Sequence, residues 1–320
     1  MEGSGADTPG RMEPGDAFGL IGHETRIDIL RVLATTDRAE RPIGFSEILD
    51  QIDGVRSAQF NYHLNELRGQ FIERTDEGYD FRRPGRRVAQ AILSGAVTGN
   101  QLSELTDVEQ DCHHCGGSLK VMYHDERIAI YCSNCSGTYA SSNYQDQHDE
   151  IPDGYGFLGL HDLPPAGMVG RTPTEALEEA HQWALMDTLS MISDSCPRCS
   201  GRFDWWVDVC EDHRGGTRCC DRCGYRHAVV HTAHCRNCTF DSRLPYGMIL
   251  AGATELQSFL TGHGFNMLKE SYRDFSAVFK NYEEDVIDAD PLEVSFTFTL
   301  DEDDISLTVD GERTVLSVST

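Results

Sequence analysis

The sequence predicts an α+β chain built in several domains, and three observations carry that prediction. Ten of the twelve cysteines fall in Cys-x-x-Cys pairs, all between residues 112 and 238, a spacing that suits metal-holding knuckles. The first hundred residues show helical periodicity interrupted by a single hairpin signal. The last thirty alternate apolar and polar side chains, strand by strand. At ~150 residues per domain, 320 residues make two or three domains.

Residues 1–15 are rich in Gly, Pro and acid and read as a disordered tail. HETRIDILRVLA follows as an amphipathic helix carrying Ile27, Leu30 and the Ile29/Val32/Leu33 set. Pro42 and Gly44 break the chain. Ser46 then caps the short helix SEILDQID, which ends at Gly54. Ser57 caps AQFNYHLNELRG, in which Phe60, Leu64 and Leu67 form a buried stripe. FIERT and YDFRR flank Asp76-Glu77-Gly78, a hairpin turn. Pro84 opens a last helix in its first turn. This order of helices, turn and two-stranded wing is that of a winged helix-turn-helix, placed at 16–98.

The segments GLIGHETRIDILRVL, FNYHLNEL and FIERTDEGYDFR resemble the ArsR-like winged-helix regulators, over about a quarter of the chain. The resemblance implies a homodimer that binds a palindromic site on double-stranded DNA. Metal-sensing members often carry Cys in the helix before the recognition helix. None stands here, so metal sensing is not carried over. In the third helix, ~100° per residue turns Ala58, Tyr62 and Asn65 outward, flanked by Gln59 and Asn61. Asn and Gln can pair bidentately with adenine, and Tyr can reach a phosphate or a base edge. Arg56 precedes this face, while Arg74, Arg82, Arg83, Arg86 and Arg87 cluster on or after the wing, where phosphate contacts would fall. His63 is expected to be a packed helix residue.

The charge is uneven. The chain carries a formal −26, with Lys only at Lys120, Lys269 and Lys280. Such acid excess is expected of a high-salt cytoplasm, where it keeps proteins hydrated. Residues 17–100 hold eleven Arg and twelve Asp or Glu, a net of −1, so this segment is spared the acid. In molar salt, counterion release gives DNA binding little drive, and such a binder need only be locally non-repulsive. No run approaches the ~20 apolar residues of a membrane span, and no basic start precedes an apolar run. Membrane and secreted classes are therefore not expected.

After a polar linker at 98–111, Cys112, Cys115, Cys132 and Cys135 bracket a hairpin turning at 124–127. Two knuckles at one end of a hairpin make a four-thiolate zinc ribbon, at 108–142, with no open coordination position. His113 and His114, inside the first knuckle, are expected to be exposed. Residues 141–171 read as a connecting loop. Thr172-Pro173-Thr174-Glu175 is a capping box that opens a long helix.

The zinc-containing α+β domain at 172–320 has four ligand pairs: Cys196/Cys199, Cys210/His213, Cys220/Cys223 and Cys235/Cys238. Phe203, Trp205, Val207 and Val209 alternate as one strand, which at that length spans ~20 Å and separates the first two pairs. Tyr225 to His231 separates the last two in the same way. Interleaving is therefore expected, with Cys196, Cys199, Cys220 and Cys223 on one ion and Cys210, His213, Cys235 and Cys238 on the other. Cys219 is spare, or substitutes for Cys220. The spacing superficially resembles a cross-brace RING module, but the gap from His213 to Cys220 is long for it and no ligase activity is carried over. An amphipathic helix at 247–262 and a β meander from Leu292 to TVLSV complete the chain.

A winged helix ahead of a zinc-containing domain resembles haloarchaeal transcriptional regulators over most of the chain. The leading expectation is a cytoplasmic DNA-binding transcriptional regulator with three structural zinc ions. Its C-terminal region would dimerise, sense a small-molecule effector or recruit partners. The alternative is a zinc adaptor of transcription or RNA-processing machinery that does not bind DNA. No enzyme is expected, since no Glu stands in a general-base motif beside a Cys/His site.

Overall fold

The computed structural model describes residues 12–97, 103–140 and 151–320. The chain divides into two compact units, Met1–Gly99 and Asn100–Thr320. The tail expected at 1–15 lies mostly outside the described residues. Its last two, Pro14 and Gly15, instead open a helix.

In the first unit, α1 (Pro14–Ile21), α2 (Glu24–Thr35), α3 (Phe45–Leu49) and α4 (Ser57–Leu67) precede a hairpin of β1 (Ile72–Arg74) and β2 (Tyr79–Phe81). A last helix, α5 (Arg83–Ser94), ends at Gly95 in the left-handed conformation. The caps sit earlier than the sequence suggests: Gly44, two residues before Ser46, precedes α3, with the Glu47 carboxylate accepting its N–H at 2.8 Å, and Arg56, one residue before Ser57, precedes α4. Ile29, Leu30, Leu33, Ile48, Phe60, Leu64 and Leu67 are fully buried and form one core. Ile43 bonds both ways with Tyr79, an isolated antiparallel bridge at the hairpin. The backbone there is so close that a Cβ on Gly78 would meet the Ile43 carbonyl.

The second unit holds three antiparallel sheets. The first is β3 (Thr106–Asp111), β4 (Ser118–His124), β5 (Arg127–Cys132) and β6 (Gly156–Asp162). Two of these strands correct the sequence reading. The linker ends in β3 and the connecting loop contains β6. In β3 only Val108 is buried, so its apolar period is missing. In β6, Gly156 and Gly159 stand where strand-forming residues are looked for. The long helix α6 (Pro173–Ile192) carries the expected capping box and lays Ala176, Leu177 and Ala180 against Leu119, Ile130 and Leu158.

The second sheet is β7 (Phe203–Val209), β8 (Val229–Cys235) and β9 (Asp241–Pro245). The segment expected as one helix at 247–262 begins instead as a 3-10 turn, Tyr246–Gly252, and becomes α-helical only at α7 (Thr254–Gly262). A further helix, α8 (Tyr272–Phe279), precedes the third sheet, the meander β10 (Glu283–Ala289), β11 (Leu292–Leu300), β12 (Asp303–Asp310) and β13 (Val315–Ser319). Val294, Phe296, Phe298, Ile305, Leu307 and Val309 face inward onto Phe275, Phe279 and Tyr282. The ribbon drawn separately at 108–142 is thus one part of this unit.

In β10, the first strand of the meander, Glu284 accepts the backbone N–H of Ala228, and burial raises its carboxyl to about 7. A carboxyl raised on folding is stabilising below its ordinary value near 4.5, and that contribution is lost as pH rises through about 7. Glu284→Gln is expected to remove this dependence, gaining on the order of 3 kcal/mol over the parent between pH 5 and pH 8. Urea midpoints of both chains at the two pH values check it. Midpoints that shift in parallel would show that Glu284 does not titrate with folding.

Candidate metal centres and helix surface

Three groups of side chains converge so that all their ligand atoms lie within 4.8 Å of one another: Cys112/Cys115/Cys132/Cys135, Cys196/Cys199/Cys235/Cys238 and Cys210/His213/Cys220/Cys223. In the first, Cys112 Sγ lies 3.8 Å from Cys135 Sγ and Cys115 Sγ lies 3.5 Å from Cys132 Sγ. In the second the corresponding separations are 3.6 and 3.5 Å. Tetrahedral zinc with bonds of ~2.3 Å would place its sulfurs about 3.8 Å apart. The donor sets therefore fit metal ions such as zinc with little movement.

The pairing overturns the interleaved expectation. β7 and β8 do separate the pairs at their two ends, as expected. They are antiparallel, however, with Phe203 opposite Cys235 and Val209 opposite Val229. The start of β7 therefore meets the end of β8, which joins the first pair to the fourth. The far end joins the second pair to the third. Interleaving would need parallel strands.

Cys199 is lowered to about 6, chiefly by the Asn237 side chain and then by the Gly201 N–H. Cys220 is lowered to about 7 by backbone N–H groups, that of Arg214 first. In the same clusters Cys238 and Cys223 are raised to about 12, so each cluster divides its protons unevenly among its thiols. In the mixed site His213 turns Nδ1 toward Cys223 Sγ at 3.5 Å, while its Nε2–H donates to the Arg226 carbonyl at 3.0 Å. That second bond fixes the tautomer with Nδ1 free to ligate.

The knuckles share one build. Cys112 N–H donates to Gly117 O and Gly116 N–H to Cys112 O; Cys196 N–H donates to Gly201 O and Ser200 N–H to Cys196 O. Asn134 and Asn237 occupy the same place in the returning knuckles, each donating its N–H to the preceding Cys sulfur. Cys-x-x-Cys-x-Gly paired with Cys-x-Asn-Cys is thus a repeat, at 112–135 and at 196–238. It was present in the sequence and would have given the correct pairing.

Cys219 stands outside the clusters and bonds through its N–H and Sγ to Ser136. His113 and His114 do not ligate, and they are not exposed as expected. His113 is buried near the ring of Tyr272, and His114 bonds Thr138 and Asn281. Within the first knuckle Cys112 and His113 are buried while Cys115 and Gly116 stay exposed. Arg226, itself buried, donates to Gly137 O and Gly216 O, so the loops after the first and within the second metal region are stitched together.

On the first unit, the helix α4 buries Phe60, His63, Leu64 and Leu67. Arg56, Ala58, Gln59, Asn61, Tyr62 and Asn65 are all exposed, as are Arg74, Arg82, Arg83, Arg86 and Arg87. Asn65 accepts from Arg68 at 2.9 Å. His63 packs against His23 and receives the Arg26 guanidinium, and burial lowers its pKa. No carboxylate interrupts the exposed face of α4 before Glu66, but the hairpin tip carries Asp76 and Glu77. Among the described residues no helix is long and apolar enough to cross a membrane.

Residues 109–315 match the family described as Domain of unknown function (DUF7351), and residues 14–92 match Domain of unknown function (DUF7347). No curated protein and no solved structure matches the chain.

Proposed function

Because the chain belongs to the DUF7351 family, a membership that carries no activity, we propose its function from its residues: it is a DNA-binding transcriptional regulator. The first unit is then a winged helix-turn-helix that lays α4 in the major groove. The observation that carries this reading is the outward face of α4. Its amides and Tyr62 are exposed while Phe60, Leu64 and Leu67 are wholly buried. A helix so anchored from behind offers donors and acceptors suited to base edges. Arg56 at its start and Arg82 and Arg83 beyond the hairpin are placed for phosphates.

The first unit acts as a homodimer, with the exposed Phe18 of α1 and Leu93 of α5 available to the seam. The three metal centres hold structural zinc. All four positions of each are taken by protein, which leaves none for a reacting water. The second unit, acidic and metal-braced, serves ligand sensing or partner contact rather than the DNA backbone.

The test is binding of the zinc-loaded chain, across a range of KCl, to its own promoter and to random fragments. An Asn61→Ala, Tyr62→Ala variant runs alongside. Selective binding is expected, weakened about 100-fold in the variant, since two base contacts contribute ~1–3 kcal/mol each. If no fragment is preferred at any salt while fold and metal stay intact, the reading fails. The adaptor alternative, which the acidic hairpin tip favours, then replaces it.

A further inference from the structure

A cleft of about 850 Å³ opens in the second unit between β6, α6, β9 and the end of α8. Its lining is unusual for so acidic a chain, holding Arg127, Arg198, Arg243 and Lys280 against only Asp162, Asp187 and Asp241. The three carboxylates do not reach Lys280. Asp162 and Asp187 are taken by Arg198. The Lys280 ammonium faces the Tyr272 ring at 5.1 Å, and among the described residues it has no carboxylate partner. Lys280 is only 4% exposed.

Beside it, the rings of His161 and His181 lie 5.8 and 5.9 Å from the same tyrosine ring and 6.3 Å from each other. His161 Nδ1 and His181 Nε2 are buried without a partner, and both residues line the cleft. Buried polar atoms are nearly always satisfied, and a buried unpaired ammonium is costly. Three such groups around one ring at a cleft wall describe a ligand that is not part of the chain. Leu185, Met248 and Phe275 add apolar surface to the same lining.

We propose that this cleft binds a small organic carboxylate. Its carboxylate sits on the Lys280 ammonium and accepts ring N–H groups from His161 and His181, and its apolar body lies against Leu185, Met248 and Phe275. One unpaired cation with two neutral donors suits a monoanion. The apolar wall disfavours inorganic phosphate. The cleft lies wholly within the second unit, so the inference goes beyond the DNA reading and does not rest on it.

The experiment is calorimetric titration of the full zinc-loaded chain, without DNA, at constant ionic strength. The probes are phenylacetate, indole-3-acetate and octanoate, with 2-phenylethanol and inorganic phosphate as comparisons. Saturable one-to-one binding of at least one carboxylate is expected, weakened tenfold or more by Lys280→Met and at least tenfold weaker for the alcohol. Ligand-free Lys280→Met is expected to melt higher than the parent, because the variant loses an unpaired buried charge. The proposal is overturned if no carboxylate saturates, if the alcohol binds as tightly, or if phosphate alone binds. It is also overturned if Lys280→Met melts lower than the parent, which would place a structural partner on the ammonium.

Discussion

A chain carrying Cys199→Ser together with Cys235→Ser is expected to keep two of its three zinc ions. Both residues belong to the same four-thiolate cluster, so the second substitution removes nothing that the first has not already damaged. A Cys199→Ser, Cys220→Ser chain strikes two clusters and is expected to keep one ion. Interleaved pairing predicts the reverse for the two variants. Zinc per chain after gel filtration, by plasma mass spectrometry, separates the two arrangements. Structural zinc supplies about 10–16 kcal/mol of apparent binding free energy in small zinc peptides. Chelation of all three sites is therefore expected to unfold the second unit, while α1 to α5, which carry no cysteine, keep their helical signal.

Phe60→Ala is expected to cost the first unit about 3–5 kcal/mol. Phe60 is fully buried and meets Phe45 edge-on at 4.8 Å between ring centres. Its removal leaves a cavity under α4 that Leu64 and Leu67, already packed, cannot fill. Tyr62, two positions on, is 56% exposed, and Tyr62→Ala is expected to leave stability within about 0.5 kcal/mol of the parent. Differential scanning calorimetry reads both variants. A Tyr62→Ala chain that unfolds as readily as Phe60→Ala would mean that the outward face of α4 is packed against something, and would remove it from consideration for DNA.

How much of this could be read in advance depends on what carries each signal. The helix α4 was legible because Phe60, Leu64 and Leu67 repeat at helical spacing and a one-residue slip would expose all three. The meander β11 to β13 was legible because its alternation is unbroken from Leu292 to Val309. The strand β10 was not, since EEDVIDA buries no residue fully and its place is set by pairing with β11. The helix α8 went unread although Ser271 caps it by accepting the Asp274 N–H and Tyr272, Phe275, Val278 and Phe279 recur at helical spacing; its eight residues are a short signal beside the glycines and charges that precede them. The metal ligands were readable as types; their partnership lay in the repeated Cys-x-x-Cys-x-Gly and Cys-x-Asn-Cys signatures, which the spacing of the pairs alone does not reveal. The Lys280 cleft could not be read at all. Lys280, His161 and His181 come from three distant segments, and only the folded unit brings them together.

The antiparallel course of β7 and β8 has one more consequence, for the route by which the second metal region closes. Its two ligand loops are concentric. The inner one runs over fourteen residues, 210–223, and the outer over 43 residues, 196–238. Closing the outer loop from an open chain costs roughly 1 kcal/mol more chain entropy than closing the inner. Once the inner loop is clasped and the strands zip from it, the outer cysteines arrive side by side with little entropy left to lose. With the inner site loaded first, the hairpin is expected to assemble from its tip back toward its base.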